Sequence, residues 1–332
     1  MRCFFCYARD TSYKISDQMN ASDIDRIIDF CCEGNISNIV LIGGEPTLYP
    51  GIVDIVKKIT DKKIKVSIVS NGVKYSSLDF CNSLKEAGLK IATISIKGNN
   101  KNDFKEVTGI DSFDAVIKGM DNLHRLDIPF GCSMVISQQN ISTFLDGVKC
   151  AFGHGSNYIE FTFAYDFNES LNKDDDYLAK ENPISLIKQF VSQIDELNKI
   201  TGSRWNIESG FPLCVFGEEN VEKLKCHLTS TCQLLCGSGI IFDTDLNVIP
   251  CNMMFDIKVG KFGVDFKNFK EFLDYTQNSK YKQPMDYLKS LPSKECLDCD
   301  FLKNCGGGCV AFWTNTSFDK MKEYIKNEAL KS

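Results

Sequence analysis

The chain is predicted to be an α/β protein built on a parallel sheet, with a smaller cysteine-rich region after it. Three observations carry this. Helical and strand patterns alternate from residue 22 to about 200. The helical stretches between the apolar runs are long enough to make βαβ crossovers. Beyond residue 200 the periodicity fades, and Gly, Cys and short apolar pieces take over.

The first helix is expected to open on a capping box, Ser22 with Asp25, with Ile24, Ile27, Ile28 and Cys31 on one face. Asn38-Ile39-Val40-Leu41-Ile42 follows as a buried strand ending in Gly43-Gly44. A helix over 51–60 then leads to a strand over 65–69, and a helix over 78–87 to a strand over 91–96. A helix over 113–125 leads to a strand over 130–136, and a helix over 143–152 to a strand over 158–163. A polar loop, 172–176, precedes a long helix over 184–199. That makes five strands, and the opening helix has no strand before it. In a wound α/β fold a helix normally follows a strand, so the first strand is expected to be missing. The expected division is 1–200 for the α/β part and 201–332 for the cysteine-rich part.

The composition, 43% apolar and 25% charged, is that of an ordinary globular chain. No run of some 18 apolar residues could span a membrane, and no export signal opens the chain. With a net charge of −6 and no basic stripe, a nucleic-acid partner is not expected. The 16 cysteines outnumber the three histidines, and a cytoplasmic chain uses such a set for metal or redox chemistry. Cys31, Cys32, Cys81, Cys132 and Cys150 sit in apolar periodic segments and read as core packing. The others lie at the extreme N-terminus or after residue 213. Cysteine-only sites favour iron–sulfur clusters or a zinc ion held by four thiolates.

The strongest local signal is Cys296-x2-Cys299-x5-Cys305-x3-Cys309, with Gly306-Gly307-Gly308 in its last interval. Such glycines let the backbone wrap tightly around a metal centre. Upstream stand Cys226, Cys232, Cys236 and Cys251. Four of these thiols could hold zinc, but the set exceeds one zinc ion. Cys214, flanked by Phe211-Pro212-Leu213, reads as structural. The second signal is Cys3-Phe4-Phe5-Cys6-Tyr7, followed some forty residues later by Gly43-Gly44-Glu45-Pro46-Thr47.

This combination resembles the radical S-adenosylmethionine (SAM) superfamily, and the tail resembles its SPASM subgroup. The resemblance implies a partial (β/α)6 TIM-like barrel followed by a small iron–sulfur domain. It implies a [4Fe–4S] cluster held by a C-x3-C-x2-C loop, of which Cys3 and Cys6 match the second and third cysteines. The first would fall four residues before Cys3. A chain shortened at its N-terminus, or one that has lost this cluster, is expected to explain that.

By the same resemblance Gly43, Gly44, Glu45 and Pro46 contact the SAM amino group, Glu45 as a negative partner for the ammonium. Ser70 and Asn71 lie near the ribose and methionine, and Ser95 ends the next strand. Lys97 departs from an acidic residue common in relatives. For Ser70, Asn71 and Ser95 an ordinary strand-end turn is the competing reading. Two auxiliary [4Fe–4S] clusters are implied: Cys236, Cys251 and Cys309 with Cys232 (or Cys226) for the first, and Cys296, Cys299 and Cys305 for the second. The second's fourth ligand is left to a carboxylate such as Asp319 or Glu323, to an open iron, or to loss of the cluster.

The activity implied is reductive cleavage of SAM to a 5′-deoxyadenosyl radical that modifies a peptide or protein, with flavodoxin or ferredoxin as electron donor. A thioether or C–C crosslink in a ribosomally made peptide is the expected product. A sulfatase maturase is demoted because Asn252, not an acid, follows Cys251. A non-catalytic iron–sulfur or zinc protein is the reading from another class.

Overall fold

The computed structural model of the chain describes residues 3, 5, 6, 18–164, 183–209, 211–228, 232–290 and 294–315. The polar loop 172–176, Tyr7, Asp319 and Glu323 lie outside them.

Six strands form one parallel sheet whose spatial order is their chain order. They are β1 (Asn38–Leu41), β2 (Lys65–Ser70), β3 (Ile91–Ser95), β4 (Phe130–Ile136), β5 (Ile159–Phe163) and β6 (Trp205–Ser209). Each crossover steps to the next neighbour, the winding that curls a sheet toward a barrel instead of doubling it back. The connections carry α1 (Ala21–Glu33) before β1, then α2 (Ile52–Asp61), α3 (Leu78–Glu86), α4 (Lys101–Thr108), α5 (Phe113–Arg125), α6 (Phe144–Gly153), α7 (Pro183–Val191) and α8 (Ile194–Thr201). The expected α/β class with a partial TIM-like barrel is the class observed. Among the described residues no strand precedes α1, and β1 stands at the sheet's edge.

The two faces of the sheet differ. Val66 and Ile68 of β2, Ala92 and Ile94 of β3, and Ile159, Phe161 and Phe163 of β5 are buried beneath the helices. Phe161 and Phe163 meet Phe190 of α7 with ring centroids 5.4 and 5.2 Å apart. Successive side chains of a strand alternate faces. Ser67, Thr93, Ser95, Ser133, Glu160 and Thr162 therefore occupy the opposite, concave face, where they are only half-buried.

Several local expectations are corrected. The cap of α1 is Asn20, whose Oδ1 accepts from the Asp23 N–H at 2.9 Å, two residues before the expected box. Asp25 instead pairs with Lys58 Nζ at 2.6 Å, tying α1 to α2. Helix α4 was not among the expected elements. Asn100 caps it, accepting from the N–H groups of Asn102 and Asp103, and Gly109 closes it in the left-handed region. The single helix expected over 184–199 is two, broken at Ser192-Gln193. A division at residue 200 falls before β6, which belongs to the barrel sheet. Its polar alternation, Asn206 after Trp205 and Glu208 after Ile207, breaks the apolar run by which buried strands are read.

Gly72 ends the turn after β2 with φ +83°, and Gly119 of α5 packs against that turn. A Cβ on Gly119 would lie 2.6 Å from the Gly72 carbonyl oxygen. Only glycine permits both the left-handed turn and this approach.

The C-terminal region carries α9 (Glu218–Leu224), α10 (Gln233–Cys236) and an antiparallel sheet of β7 (Ile241–Phe242), β8 (Asn247–Ile249) and β9 (Gly260–Lys261). Beyond these come α11 (Phe269–Tyr275), α12 (Ser279–Lys289), α13 (Leu302–Cys305) and α14 (Val310–Asn315). It joins the barrel through Phe30 of α1, whose ring meets five phenylalanines of this region. Cys31, Cys81 and Cys132 are buried in the core, and Cys32 and Cys150 are half-buried. No helix among the described residues is long and apolar enough to cross a membrane.

Candidate functional site

Parallel strands end where their ligands bind, and three of the expected segments meet at the carboxyl ends of β1 to β3. Gly43 and Gly44 are exposed, with nothing within 4 Å of where a Cβ would stand. Gly43 has φ +154°, a conformation glycine favours. Pro46 opens the short turn Pro46–Leu48.

Glu45 ties this loop to the next strand. Its Oε1 accepts from the Thr47 N–H (3.1 Å), the Thr47 hydroxyl (2.5 Å) and the Ser70 hydroxyl (2.8 Å). Its Oε2 accepts from the Asn71 N–H at 2.7 Å. Glu45, Ser70 and Asn71 are thus brought together by the protein itself. A carboxylate offers about four acceptor sites. Three donors on Oε1 and one on Oε2 leave Oε2 with capacity for another. The Ser70 hydroxyl also accepts from the Gly72 N–H, and Asn71 Oδ1 from the Val73 N–H, closing the turn. Ser95 bonds across the sheet to Ser133, Oγ to Oγ 3.1 Å.

The N-terminal cysteines come to the same place. Cys3 is buried and Cys6 exposed, and the Cys6 N–H donates to the Cys3 carbonyl at 3.1 Å. Lys97, two residues after Ser95, places its Nζ 5.0 Å from the centroid of the Phe5 ring between the two cysteines. Its surroundings strip water from the ammonium and lower its pKa, while Cys3, Cys6 and Glu45 pull it back up. Burial raises the Cys3 thiol, and Lys97 opposes the rise. The departure noted at Lys97 is therefore a cation set beside the cysteine loop. Thiolates carry negative charge into whatever they bind, and Lys97 offsets it.

The C-terminal thiols divide into two groups. Cys251, Cys309 and Cys232 lie within electrostatic reach of one another. Burial, then those neighbours and Glu208, push the Cys251 thiol up to about 12, although the Met253 N–H donates to its Sγ at 3.4 Å. Cys236 is not gathered with them so closely. It is exposed one helical turn beyond Cys232, with its Sγ 3.0 Å from the Ser238 hydroxyl. Cys226 is exposed and its thiol turns to the Lys223 carbonyl.

In the second group burial first, then the Cys305 and Cys299 charges, raise the Cys296 thiol, and burial first, with Cys299 adding to it, raises that of Cys305. Gly306, Gly307 and Gly308 have φ of 59°, 79° and 81°, three left-handed residues in succession that wrap the chain around Cys305. The Leu213 N–H donates to the Cys305 Sγ at 3.1 Å. Donors on a thiolate sulfur are what an anionic cluster requires and what tunes its potential. Among the described residues no group of three or more His, Cys, Asp or Glu is placed to hold a metal ion. The donor set is thiols only, and two of them, Cys251 and Cys305, accept backbone N–H groups, which is the chemistry that suits a cluster.

Two carboxylates escaped the sequence reading. Glu160 of β5 and Glu208 of β6 stand on adjacent strands, with Glu160 on the concave face. Burial first, then the Glu208 charge, push Glu160 up to about 7, while a hydrogen bond from Tyr158 opposes them; burial also raises Glu208. The signal was available in Tyr158-Ile159-Glu160-Phe161-Thr162-Phe163, where a carboxylate alternates with buried apolar residues.

A carboxyl raised on folding binds more protons folded than unfolded, so stability falls as pH climbs from the ordinary carboxylate range through about 7. Glu160→Gln removes that loss. In cluster-free protein the variant's advantage is expected to grow by about 1–3 kcal/mol between pH 5 and pH 8. Denaturant melts at both pH values check this. An unchanged pH slope would refute it.

Residues 1–150 match the model of the radical SAM superfamily, a family that uses a 4Fe–4S cluster and SAM. The chain is similar to a probable GTP 3′,8-cyclase of Pyrococcus abyssi, 32% identical over 136 residues, covering 41% of this chain and 44% of that protein. It is similar as well to one of Sulfurisphaera tokodaii, 34% identical over 144 residues, covering 42% and 44%. The chain thus spans less than half the length of these curated relatives.

Among solved structures it resembles native anSMEcpe with bound AdoMet, at TM-score 0.71 and 17% identity, over 99% of this chain and 94% of that one. It also resembles Streptococcus suis SuiB bound to precursor peptide SuiA, at TM-score 0.67 and 17% identity, over 95% and 70%. At such identities these likenesses establish the fold.

Proposed function

We propose that this chain is a radical SAM enzyme that modifies a peptide or protein substrate. The observation that carries the reading is the convergence of the Cys3–Cys6 loop, Lys97, Glu45 and the Ser70-Asn71 turn at one end of the parallel sheet. Cys3 and Cys6 would contribute ligands to a 4Fe–4S cluster there, which would supply one-electron reduction of SAM, the chemistry that lets hydrogen be taken from an unactivated C–H bond.

The residues around it bind and position. Cys3 and Cys6 are thiol ligands, and Lys97 counters their charge. Gly43 and Gly44 leave backbone open to the SAM amino and carboxylate groups. Glu45 holds that loop in register with Ser70 and Asn71, and its Oε2 keeps acceptor capacity that would serve an ammonium. Ser95 lies on the concave wall beside it. The cysteines after residue 213 hold auxiliary clusters, with Cys232, Cys236, Cys251 and Cys309 for the first. A flavodoxin or ferredoxin supplies the electron in a reducing cytoplasm.

A peptide is favoured over a nucleotide on two grounds. The likeness to anSMEcpe and SuiB, whose structures hold peptides, runs over nearly the whole chain, whereas the likeness to the GTP cyclases covers under half. Glu160 also puts a carboxylate on the concave wall with Glu208 beside it, and this repels a triphosphate. Together the two carboxyls can share a proton and accept another from substrate. Glu208 lies within electrostatic reach of Cys251, supplying near that thiol the acid that Asn252 does not.

Protein reconstituted anaerobically with iron and sulfide, then given SAM and dithionite, is expected to release 5′-deoxyadenosine and to leave added GTP intact. Mass spectrometry reads both. Protein carrying its iron and sulfide yet yielding no 5′-deoxyadenosine overturns the enzyme; a cyclised GTP product overturns the peptide substrate.

A further inference from the structure

We infer that Cys214 is the fourth thiol ligand of the second auxiliary site, completing the set begun by Cys296, Cys299 and Cys305. The inference rests on the reading that these C-terminal thiols hold a cluster.

Cys214 sits in Phe211-Pro212-Leu213-Cys214-Val215-Phe216, an apolar run in which a free cysteine ordinarily packs inward as a small hydrophobe. Here it does the reverse. The run folds into a tight 3-10 turn over Leu213–Phe216. Leu213, Val215 and Phe216 are 1%, 5% and 4% exposed, and Cys214 alone among the four is exposed. Phe211 and Phe216 meet Phe163 of β5, with centroids 5.7 and 6.1 Å apart, so the turn is bolted to the barrel. With its neighbours turned inward, Cys214 is the residue of the turn left at the surface.

What it faces there is the second thiol group. The Leu213 N–H, one residue before it, donates to the Cys305 Sγ at 3.1 Å across 92 residues of chain. Cys305, Cys296 and Cys299 are the three groups that act electrostatically on the Cys214 thiol. Four thiols from two segments therefore lie within electrostatic reach of one another, the number that a cysteine-ligated cubane requires. The two C-terminal candidates, Asp319 and Glu323, are not needed for a full set. The consequence is mechanical as well: the second cluster would staple the end of β6 to the α13 loop, adding a second tie to the Phe30 junction between barrel and C-terminal region.

The test compares Cys214→Ala, Cys299→Ala, Cys150→Ala and a double Asp319→Asn, Glu323→Gln variant in the reconstituted full chain. Iron and sulfide content and the electron paramagnetic resonance spectrum of dithionite-reduced protein are read. Cys214→Ala and Cys299→Ala are each expected to lose the same signal and up to about four irons per chain, or to convert it on oxidation to a three-iron signal. Cys150→Ala and the double variant should match wild type. Cys214→Ser, an oxygen ligand in the same place, is expected to retain the cluster with an altered spectrum, showing that the turn still folds.

Wild-type iron content and spectrum in Cys214→Ala, with loss in Cys299→Ala, overturns the role of Cys214. Loss in the double variant instead assigns the fourth ligand there and overturns it too. No loss in Cys299→Ala, or stoichiometric zinc in place of iron in wild type, overturns the underlying reading and not the choice of ligand.

Discussion

Replacing Phe30 with alanine is expected to cost about 3–5 kcal/mol of stability and to release the C-terminal region from the barrel. Phe30 is 2% exposed on α1. Its ring centroid lies 5.5 Å from Phe242, 5.4 Å from Phe262, 6.0 Å from Phe266, 5.2 Å from Phe269 and 5.7 Å from Phe272. All five partners come from more than 200 residues away, so one side chain carries much of the docking between the two halves. Alanine forfeits the transfer energy of the ring. It also leaves a cavity lined by five rigid rings, which cannot collapse to fill it.

Neighbouring contacts sharpen the expectation. The Phe269 N–H donates to Glu33 Oε2 at 3.0 Å, and a Cβ on Gly34 would fall 2.5 Å from the Phe269 ring. That close approach at the end of α1 depends on the aromatic cluster keeping its shape. Phe30→Leu should cost less, roughly 1–2 kcal/mol, because it refills part of the space. Denaturant melts of cluster-free protein give both values. Limited proteolysis is expected to cut Phe30→Ala first between β6 and β7, where the junction loosens. A loss under 1 kcal/mol, or an unchanged cleavage pattern, would show that the docking is carried elsewhere.

The parts of this molecule that the sequence disclosed are those where one physical demand dominates. Helix α5 and strand β4 begin and end where the apolar pattern places them, because burial alone decides both. The segments Gly43-Gly44-Glu45 and Ser70-Asn71 were marked by their resemblance to radical SAM motifs at strand ends. What sequence could not show was how they meet. No spacing rule places Glu45 on the Ser70 hydroxyl, because that contact depends on strand register. Strand β6 and the Glu160–Glu208 pair were missed for a related reason. A strand that lines a concave site carries polar residues on its inner face, so function erodes the apolar signal by which strands are found. Cys214 was misleading in the opposite sense: an apolar neighbourhood in sequence reads as core, but the turn buries the neighbours and leaves the thiol out.

Glu45→Ala is expected to reduce 5′-deoxyadenosine formation by at least about 100-fold while also lowering the stability of cluster-free protein. The two effects share one cause. With the carboxylate gone, the Thr47 N–H and the Asn71 N–H lose their acceptor, as do the hydroxyls of Thr47, which is fully buried, and Ser70, which is 3% exposed. A buried donor left without a partner costs about 1–3 kcal/mol. The Gly43-Gly44 loop then has nothing to hold it against the β2 turn. Its glycines, with open space around them, will sample many conformations. A displacement of about 1 Å at a positioning group is enough to cost 100-fold in rate.

Glu45→Gln separates the contributions. Its amide oxygen can keep the donors now on Oε1, but its NH2 would confront the Asn71 N–H, donor against donor. If the scaffold role dominates, Glu45→Gln should recover most of the lost melting temperature. Its rate at saturating SAM should stay well above that of Glu45→Ala, with a raised KM for SAM. A Glu45→Ala protein with wild-type melting temperature and wild-type KM for SAM would mean that the loop is held in place by something other than this carboxylate.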